Sequence, residues 1–281
     1  MREIFVPDLL EGRRILITGG GTGLGLSMAR RFLKLGACVV ICGRREEVLV
    51  EARARLRREC GEVAIEHRVC DVRDVEAVEA MIGAVGPLDV LVNNAAANFI
   101  AQTHRLSARA ADAILATSLH GAMYCTLAAG RRWIENERPG VVLSILSTSP
   151  ITGRAFTAPS AMAKAALLAM TKSLAVEWGP KGVRLCAIGP GSFPTEGASR
   201  QLNPALRAAG AAAPANPLGR SGEHEELANL AAYLVSEAGA YINGEMVVID
   251  GGGHLRTSGA EDLLSWSDAR WDEHRSGRKG A

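Results

Sequence analysis

The sequence carries no excess of charge of either sign. Its 32 Lys and Arg stand against 30 Asp and Glu, a net charge of +2, so no global field draws it to nucleic acid or to a membrane surface. A small-molecule partner is expected instead. The chain also lacks cysteines in metal or disulfide patterns. Cys38, Cys42, Cys60, Cys70, Cys125 and Cys186 are scattered, with no CxxC pair and no Cys/His cluster, which leaves no ground for zinc or a disulfide framework. They read as buried thiols in a reducing compartment. Long apolar runs are missing too: none approaches the ~20 residues of a membrane helix, and residues 1–14 mix acids and bases without an apolar core. The expectation is a cytoplasmic protein, neither exported nor membrane-bound. What the chain does have is apolar content. At 281 residues and 48% hydrophobic it can bury a substantial core, in one large domain or two ordinary ones.

Short β-branched runs alternate with longer helical patterns. RRILIT (13–18), ACVVIC (37–42), VAIEHRV (63–69), LDVLVNN (88–94), GVVLSIL (140–146), GVRLCAI (182–188) and EMVVID (245–250) read as seven strands. Between them lie segments such as Leu24 to Leu35, Arg45 to Glu59 and Ala158 to Trp178, with apolar residues at helical spacing. Each connection can then be a right-handed crossover, and the sum is an α/β fold: a single doubly wound, seven-stranded parallel sheet covered on both faces. The domain is expected over residues 1–253. Its one long irregular stretch, rich in Pro, Ala and Gly, covers residues 189–222 and has the length of a functional lid. A polar tail with Trp266 and Trp271 covers residues 254–281, either docked on a neighbouring subunit or frayed.

The first strand runs into TGGGTGLG, Thr18 to Gly25, which opens the first helix. Bare backbone there lets a pyrophosphate approach closely, and the helix N-terminus favours negative charge. Gly19, Gly23 and Gly25 have the spacing of a dinucleotide fingerprint, with Thr18, Gly21, Thr22 and Leu24 completing the loop. A tight turn alone would also explain glycines, but the strand, loop and helix context favours the nucleotide. The second strand ends in ICGRR, placing Cys42, Gly43 and Arg44 where NAD-binding sheets often carry an acid for the ribose hydroxyls. An acid there repels a 2′-phosphate and an arginine holds it, so NADP(H) is expected over NAD(H). The alternative is that Arg44 and Arg45 are solvated charges at a helix start. Asp71 and Val72 after strand three, and Asn94 and Ala95 after strand four, fall at strand ends that line an adenine and ribose crevice.

These motifs together resemble the short-chain dehydrogenase/reductase family: TGxxxGxG near the start, an acid–Val pair after strand three, an NNAA variant of NNAG, and Pro190–Gly191, followed by Ser192, after strand six. The resemblance spans roughly residues 12–253 and implies a nicotinamide cofactor. It also implies a catalytic Asn, Ser and Tyr-x-x-x-Lys set, in which the phenol exchanges a proton with a carbonyl while Lys lowers its pKa and binds the nicotinamide ribose. Ser147 has the family's serine spacing and Lys164 is present, but position 160 is serine and the position of the family's Asn is Ser118. An aliphatic hydroxyl is a far weaker acid than a phenol of pKa about 10. Ordinary carbonyl reduction, which relies on general-acid catalysis worth ~10²–10⁴ in rate, should be crippled.

NNAAANFI (93–100), HRLS (104–107), FTAPSAMAKAALLAMTKSLAVEWG (156–179) and EELANLAAYLVSEAGAYINGEMVVIDGG (225–252) look like the 2,4-dienoyl-CoA reductase branch of that family, where serine commonly replaces the same tyrosine. Its substrate is a conjugated acyl-CoA thioester. Hydride adds remote from the carbonyl and leaves an extended enolate, so the demand falls on oxyanion stabilisation, to which one donor contributes ~2.7–4 kcal/mol. The resemblance implies Asn98 as amide donor to the thioester oxygen and Phe99 and Ser107 as walls of the acyl site. It implies Arg44 and Arg73 on phosphates of cofactor and CoA, Lys164 on the nicotinamide ribose, and Arg200 in the lid toward CoA. The branch's second donor, a tyrosine after strand five, falls here at Ser149.

Ser147 and Ser149 also have a plain reading as strand-end hydroxyls satisfying backbone. Tyr124 reads as packed, His120 as a surface or capping residue, and Arg53, Arg55, Arg57 and Arg58 as a solvated face. The family's four-helix seam implies a homotetramer. The leading expectation is NADPH-dependent reduction of a conjugated enoyl- or dienoyl-CoA. Beside it stand an enoyl-CoA reductase for an unusual acyl group such as 1-cyclohexenylcarbonyl-CoA, a 3-oxoacyl thioester reductase, and a catalytically silent NADP(H)-binding subunit.

Overall fold

The computed structural model describes residues 3–195, 216–255 and 261–277. Its sheet has seven strands, all parallel: β1 (Arg14–Thr18), β2 (Cys38–Gly43), β3 (Ile65–Val69), β4 (Val90–Asn93), β5 (Gly140–Ile145), β6 (Val183–Pro190) and β7 (Met246–Ile249). Their order is β3-β2-β1-β4-β5-β6-β7, so strand order reverses between β1 and β4 and opens a crevice at their C-terminal ends. Each expected strand is present within two residues of its expected ends, because runs buried on both faces of a parallel sheet are nearly all β-branched or leucine.

Strand alternation divides the core. Ile15, Ile17, Val39, Ile41, Val90 and Val92 face α1 (Gly23–Lys34), α2 (Glu46–Cys60) and α8 (His224–Val235), where Phe32, Leu49 and Leu227 close the layer. Leu16, Val40, Leu91, Val142 and Leu185 face the other way, onto Met81 and Ile82 of α3 (Val75–Val85), Trp133 of α5 (Gly121–Glu135) and Trp178 of α7 (Ala158–Trp178). Both layers bury large side chains at 0–7% exposure, which at ~25 cal/mol per Å² of apolar area is the main force holding the sheet.

Two elements differ from expectation. A short helix, α4 (Ala108–Leu115), continues through a π-helical turn at Ala116–His120 into α5, giving one helix of 28 residues that is long and apolar enough to cross a membrane by length and composition. Half of its most apolar window is buried in the protein. The expectation that no segment reaches membrane length is corrected accordingly: the apolar positions are interrupted in sequence but continuous in helix. The tail also has structure. A 3₁₀ turn at Glu261–Ser265 leads to α9 (Asp268–Gly277), with Trp266 and Trp271 ring centres 4.9 Å apart and the Arg270 guanidinium 4.6 Å over Trp266. All six cysteines are free, Cys42, Cys70, Cys125 and Cys186 buried and Cys38 and Cys60 half-buried. Burial pushes the Cys70 and Cys186 thiols up to about 11 and Cys125 to about 12.

Candidate active site

The loop after β1 is built around absent side chains. A Cβ on Gly25 would lie 2.6 Å from both Asn94 Nδ2 and the Gly19 carbonyl oxygen, while Gly19 and Gly23 adopt φ of 64° and 54°. Gly20, whose position sequence reasoning left unassigned, is fixed by a Cβ approach of 2.6 Å to Ile41. Gly21 faces Val48 at 3.2 Å. Thr18 and Asn94 hold the loop to β4. The Thr18 hydroxyl accepts the Asn94 and Ala95 backbone N–H groups, both at 3.0 Å, and Asn94 Nδ2 donates to the Thr18 and Gly19 carbonyls at 2.9 and 3.2 Å. Both side chains therefore build the cradle. Thr22 is the N-cap of α1 but makes no side-chain cap bond, and the first turn, including Leu24, holds no acid. Unpartnered N–H groups beside bare backbone fit a pyrophosphate.

At the end of β2, Arg44 is exposed and makes no hydrogen bond or ion pair among the described residues. Its charge acts on Asp71, whose carboxyl is held below the usual range first by hydrogen bonds from Arg73 and more weakly by Arg44. Arg73 grips Asp71 with three side-chain bonds of 2.9, 3.0 and 2.5 Å, so the guanidinium expected on a CoA phosphate already has an anion. Val72 is buried beneath α5, with a Cβ on Gly121 only 2.5 Å from it. A free arginine beside a satisfied carboxylate suits a 2′-phosphate better than ribose hydroxyls.

The central strands carry the polar group of the site. Ser160 and Lys164 lie one turn apart on α7, 9% and 7% exposed. Lys164 Nζ donates to the Ile145 carbonyl at 2.7 Å, and burial pushes its pKa down to about 8. That bond docks α7 on the end of β5, where Ser147 and Ser149 follow with their hydroxyls 2.6 Å apart. Ser149 opens a four-residue helix, α6 (Ser149–Thr152), packed against α7. From neighbouring β4, the chain reaches Asn98, whose Oδ1 is buried without a partner. Ser118, in the π-helical turn, accepts the Ala97 N–H at 2.9 Å and donates to the Ala97 carbonyl at 3.0 Å. It thereby fixes the residue before Asn98, a positioning role that its chain position alone does not reveal. The Ser160 hydroxyl has no partner among the described residues. The group can donate hydrogen bonds to an oxyanion and carries one cation, with no phenol at position 160.

Other expected positions are placed differently. Phe99 is 36% exposed on the Asn98 loop. Ser107 is exposed, and its hydroxyl caps α4 by accepting the Ala110 N–H at 3.2 Å. Pro190 ends β6, Gly191 is required by Asp250, whose Cβ would be 2.5 Å away, and the Ser192 hydroxyl meets that of Ser221 at 3.2 Å. Arg200 and most of the expected lid lie outside the described residues. Of its described stem, Thr195 sits over Gly23, 3.2 Å from a Cβ there, and His224 bonds both Ser27 of α1 at 3.0 Å and the Pro194 carbonyl at 2.8 Å. Tyr124 is half-buried, and exposed His120 stands 6.1 Å from it, ring to ring. Phe156, which spacing did not single out, has φ of 64°; such a conformation costs of order 1–3 kcal/mol for a non-glycine residue.

Comparison with known proteins agrees with this geometry. The family profile described as enoyl-(acyl carrier protein) reductase matches residues 19–254. A probable 2,4-dienoyl-CoA reductase of Bacillus subtilis is 39% identical over 86% of this chain and 97% of its own. A short-chain dehydrogenase from Bacillus anthracis superposes with TM-score 0.77 at 40% identity, covering 88% of this chain and 98% of its own. An actinorhodin polyketide ketoreductase crystallised with NADPH gives TM-score 0.80 at 30% identity, covering 86% and 97%. The protein belongs to the short-chain dehydrogenase/reductase family, in its 2,4-dienoyl-CoA reductase-like branch, and is a nicotinamide-dependent oxidoreductase.

Proposed function

We propose that the protein reduces a carbon–carbon double bond of a conjugated enoyl- or 2,4-dienoyl-CoA with NADPH. The observation that carries this reading is the chemistry around the end of β5: the Ser147 and Ser149 hydroxyls lie 2.6 Å apart, Lys164 docks α7 on the Ile145 carbonyl, and position 160 is serine where a phenol would serve a carbonyl reductase. When bound, the reduced nicotinamide supplies hydride. The phosphate cradle and the unpaired Arg44 support the choice of the 2′-phosphorylated form, and buried Lys164 is the residue to which the family resemblance gives the nicotinamide ribose.

The chain's own residues meet the remaining demand. Hydride addition to a carbon remote from the carbonyl leaves negative charge on the thioester oxygen. Asn98 Nδ2 donates to that oxygen, and the Ser149 hydroxyl, held by Ser147, donates beside it. The buried, unpaired Asn98 Oδ1 makes Nδ2 the end of the amide available to substrate. A proton taken ultimately from water completes the reduction. The enzyme acts as a homotetramer in the cytoplasm; α7 exposes the apolar side chains Met162 and Val176 at 59% and 80%, and the free thiols suit a reducing compartment.

Asn98→Ala tests the chemistry. Loss of one oxyanion donor should lower kcat for 2,4-dienoyl-CoA by about 10²–10³ with NADPH affinity unchanged. An unchanged kcat would remove Asn98 from the reaction.

A further inference from the structure

Two non-glycine residues among those described have a left-handed backbone, Glu137 and Phe156. Glu137 is explained by its place just after α5, where the following N–H, of Arg138, returns to the Trp133 carbonyl at 2.8 Å in a helix-ending turn. Phe156 ends no helix. It lies in the irregular loop between α6 and α7, with φ of 64° that glycine would adopt without strain. Packing does not account for its bulk either, since the side chain is 55% exposed.

The location of the residue supplies a reason. Its carbonyl accepts the Ala101 N–H at 3.1 Å, which joins its loop to the segment bearing Asn98 and Phe99. Its own loop begins at Gly153, the C-cap of the turn bearing Ser149, and ends at the start of α7, which puts Phe156 four residues before Ser160. Phe156 thus stands where the three segments carrying the polar group meet. Phe99 and Ile151 on two of these segments are also apolar and exposed, at 36% and 55%. Strained backbone held by its surroundings is concentrated at sites where the side chain acts on a ligand.

We infer that Phe156 is a specificity-determining wall for the acyl portion of the substrate, its ring packing on the carbon chain beyond the thioester held by Asn98. The inference rests on the acyl-CoA reading of this site. A flat aromatic face next to Phe99 suits a planar conjugated chain, and it has nothing to offer a sugar or a phosphate.

The test replaces Phe156 with glycine, which fits the backbone and removes the ring. Titration calorimetry on the NADP⁺-loaded enzyme uses octanoyl-CoA, which cannot be reduced, and free CoA. Phe156→Gly should bind octanoyl-CoA about tenfold more weakly, the loss of one buried aromatic contact, with free CoA and NADPH affinities and Tm no lower than in the parent. Phe156→Leu should restore most of the loss. Octanoyl-CoA binding unchanged in Phe156→Gly overturns the inference, and so does a parallel fall in NADPH affinity or Tm, which would make the ring structural. A parent enzyme that binds no acyl-CoA would instead overturn the acyl-CoA reading itself, and the role of Phe156 with it.

Discussion

Lys164 is the one buried cation of the polar group, and among the described residues its ammonium has one hydrogen-bond partner, the uncharged Ile145 carbonyl. Burial lowers its pKa from 10.5 to about 8. The sign follows from proton counting. Between about 8 and 10.5 the unfolded chain holds the proton that the folded protein has released, so this lysine's contribution makes stability rise with pH across that window. Activity should run the other way. If the ammonium holds the nicotinamide ribose, kcat/KM falls as pH rises through about 8, and Lys164→Arg, whose guanidinium does not titrate, moves that alkaline limb upward. A pH–rate profile with the limb unmoved in the variant would assign it to another group.

Individual site residues were legible to different degrees. Ser147, Ser160 and Lys164 follow from fixed spacing on a strand end and one helix turn, and the structure brings their segments together. The local partners of Ser107 and Arg73 were less visible than their candidate roles: a hydroxyl three residues before a free helix N–H and a guanidinium two residues from a carboxylate bond to neighbours in sequence. Nothing in the residues around Phe156 signals its left-handed backbone; that conformation belongs to the tertiary structure.

Among the elements, the strands and the phosphate loop were the most legible, since period, length and glycine spacing act locally. The loop carries a prediction of its own. Gly25→Ala puts a methyl 2.6 Å from the Gly19 carbonyl, which is backbone, and from Asn94 Nδ2, which is tied to the same loop. Relief requires moving the cradle, so the variant should be destabilised by about 1–3 kcal/mol and bind NADPH at least about tenfold more weakly. Thermal unfolding and a fluorescence titration read the two effects; parent-like values in both would mean the loop is looser than its contacts imply. The π-helical turn at Ala116–His120 was not visible in the sequence. Its apolar spacing is nearly that of an ordinary helix, and the extra residue per turn is registered through the bonds Ser118 makes to Ala97.

For the whole molecule, the sheet order places the cradle at the β1 end of the crevice and the polar group at β4 and β5. The cradle and the polar group therefore stand at the ends of different strands of one sheet. Sheet order could be inferred from right-handed crossovers and the family resemblance; the chemistry performed in the crevice depends on which side chains replace the phenol. The most direct measurement is NADPH oxidation by the intact enzyme with 2,4-dienoyl-CoA, trans-2-enoyl-CoA, 1-cyclohexenylcarbonyl-CoA and 3-oxoacyl-CoA in parallel, repeated with NADH. Turnover of a conjugated thioester, faster with NADPH than with NADH, is the predicted result, and turnover of 3-oxoacyl-CoA alone would contradict it.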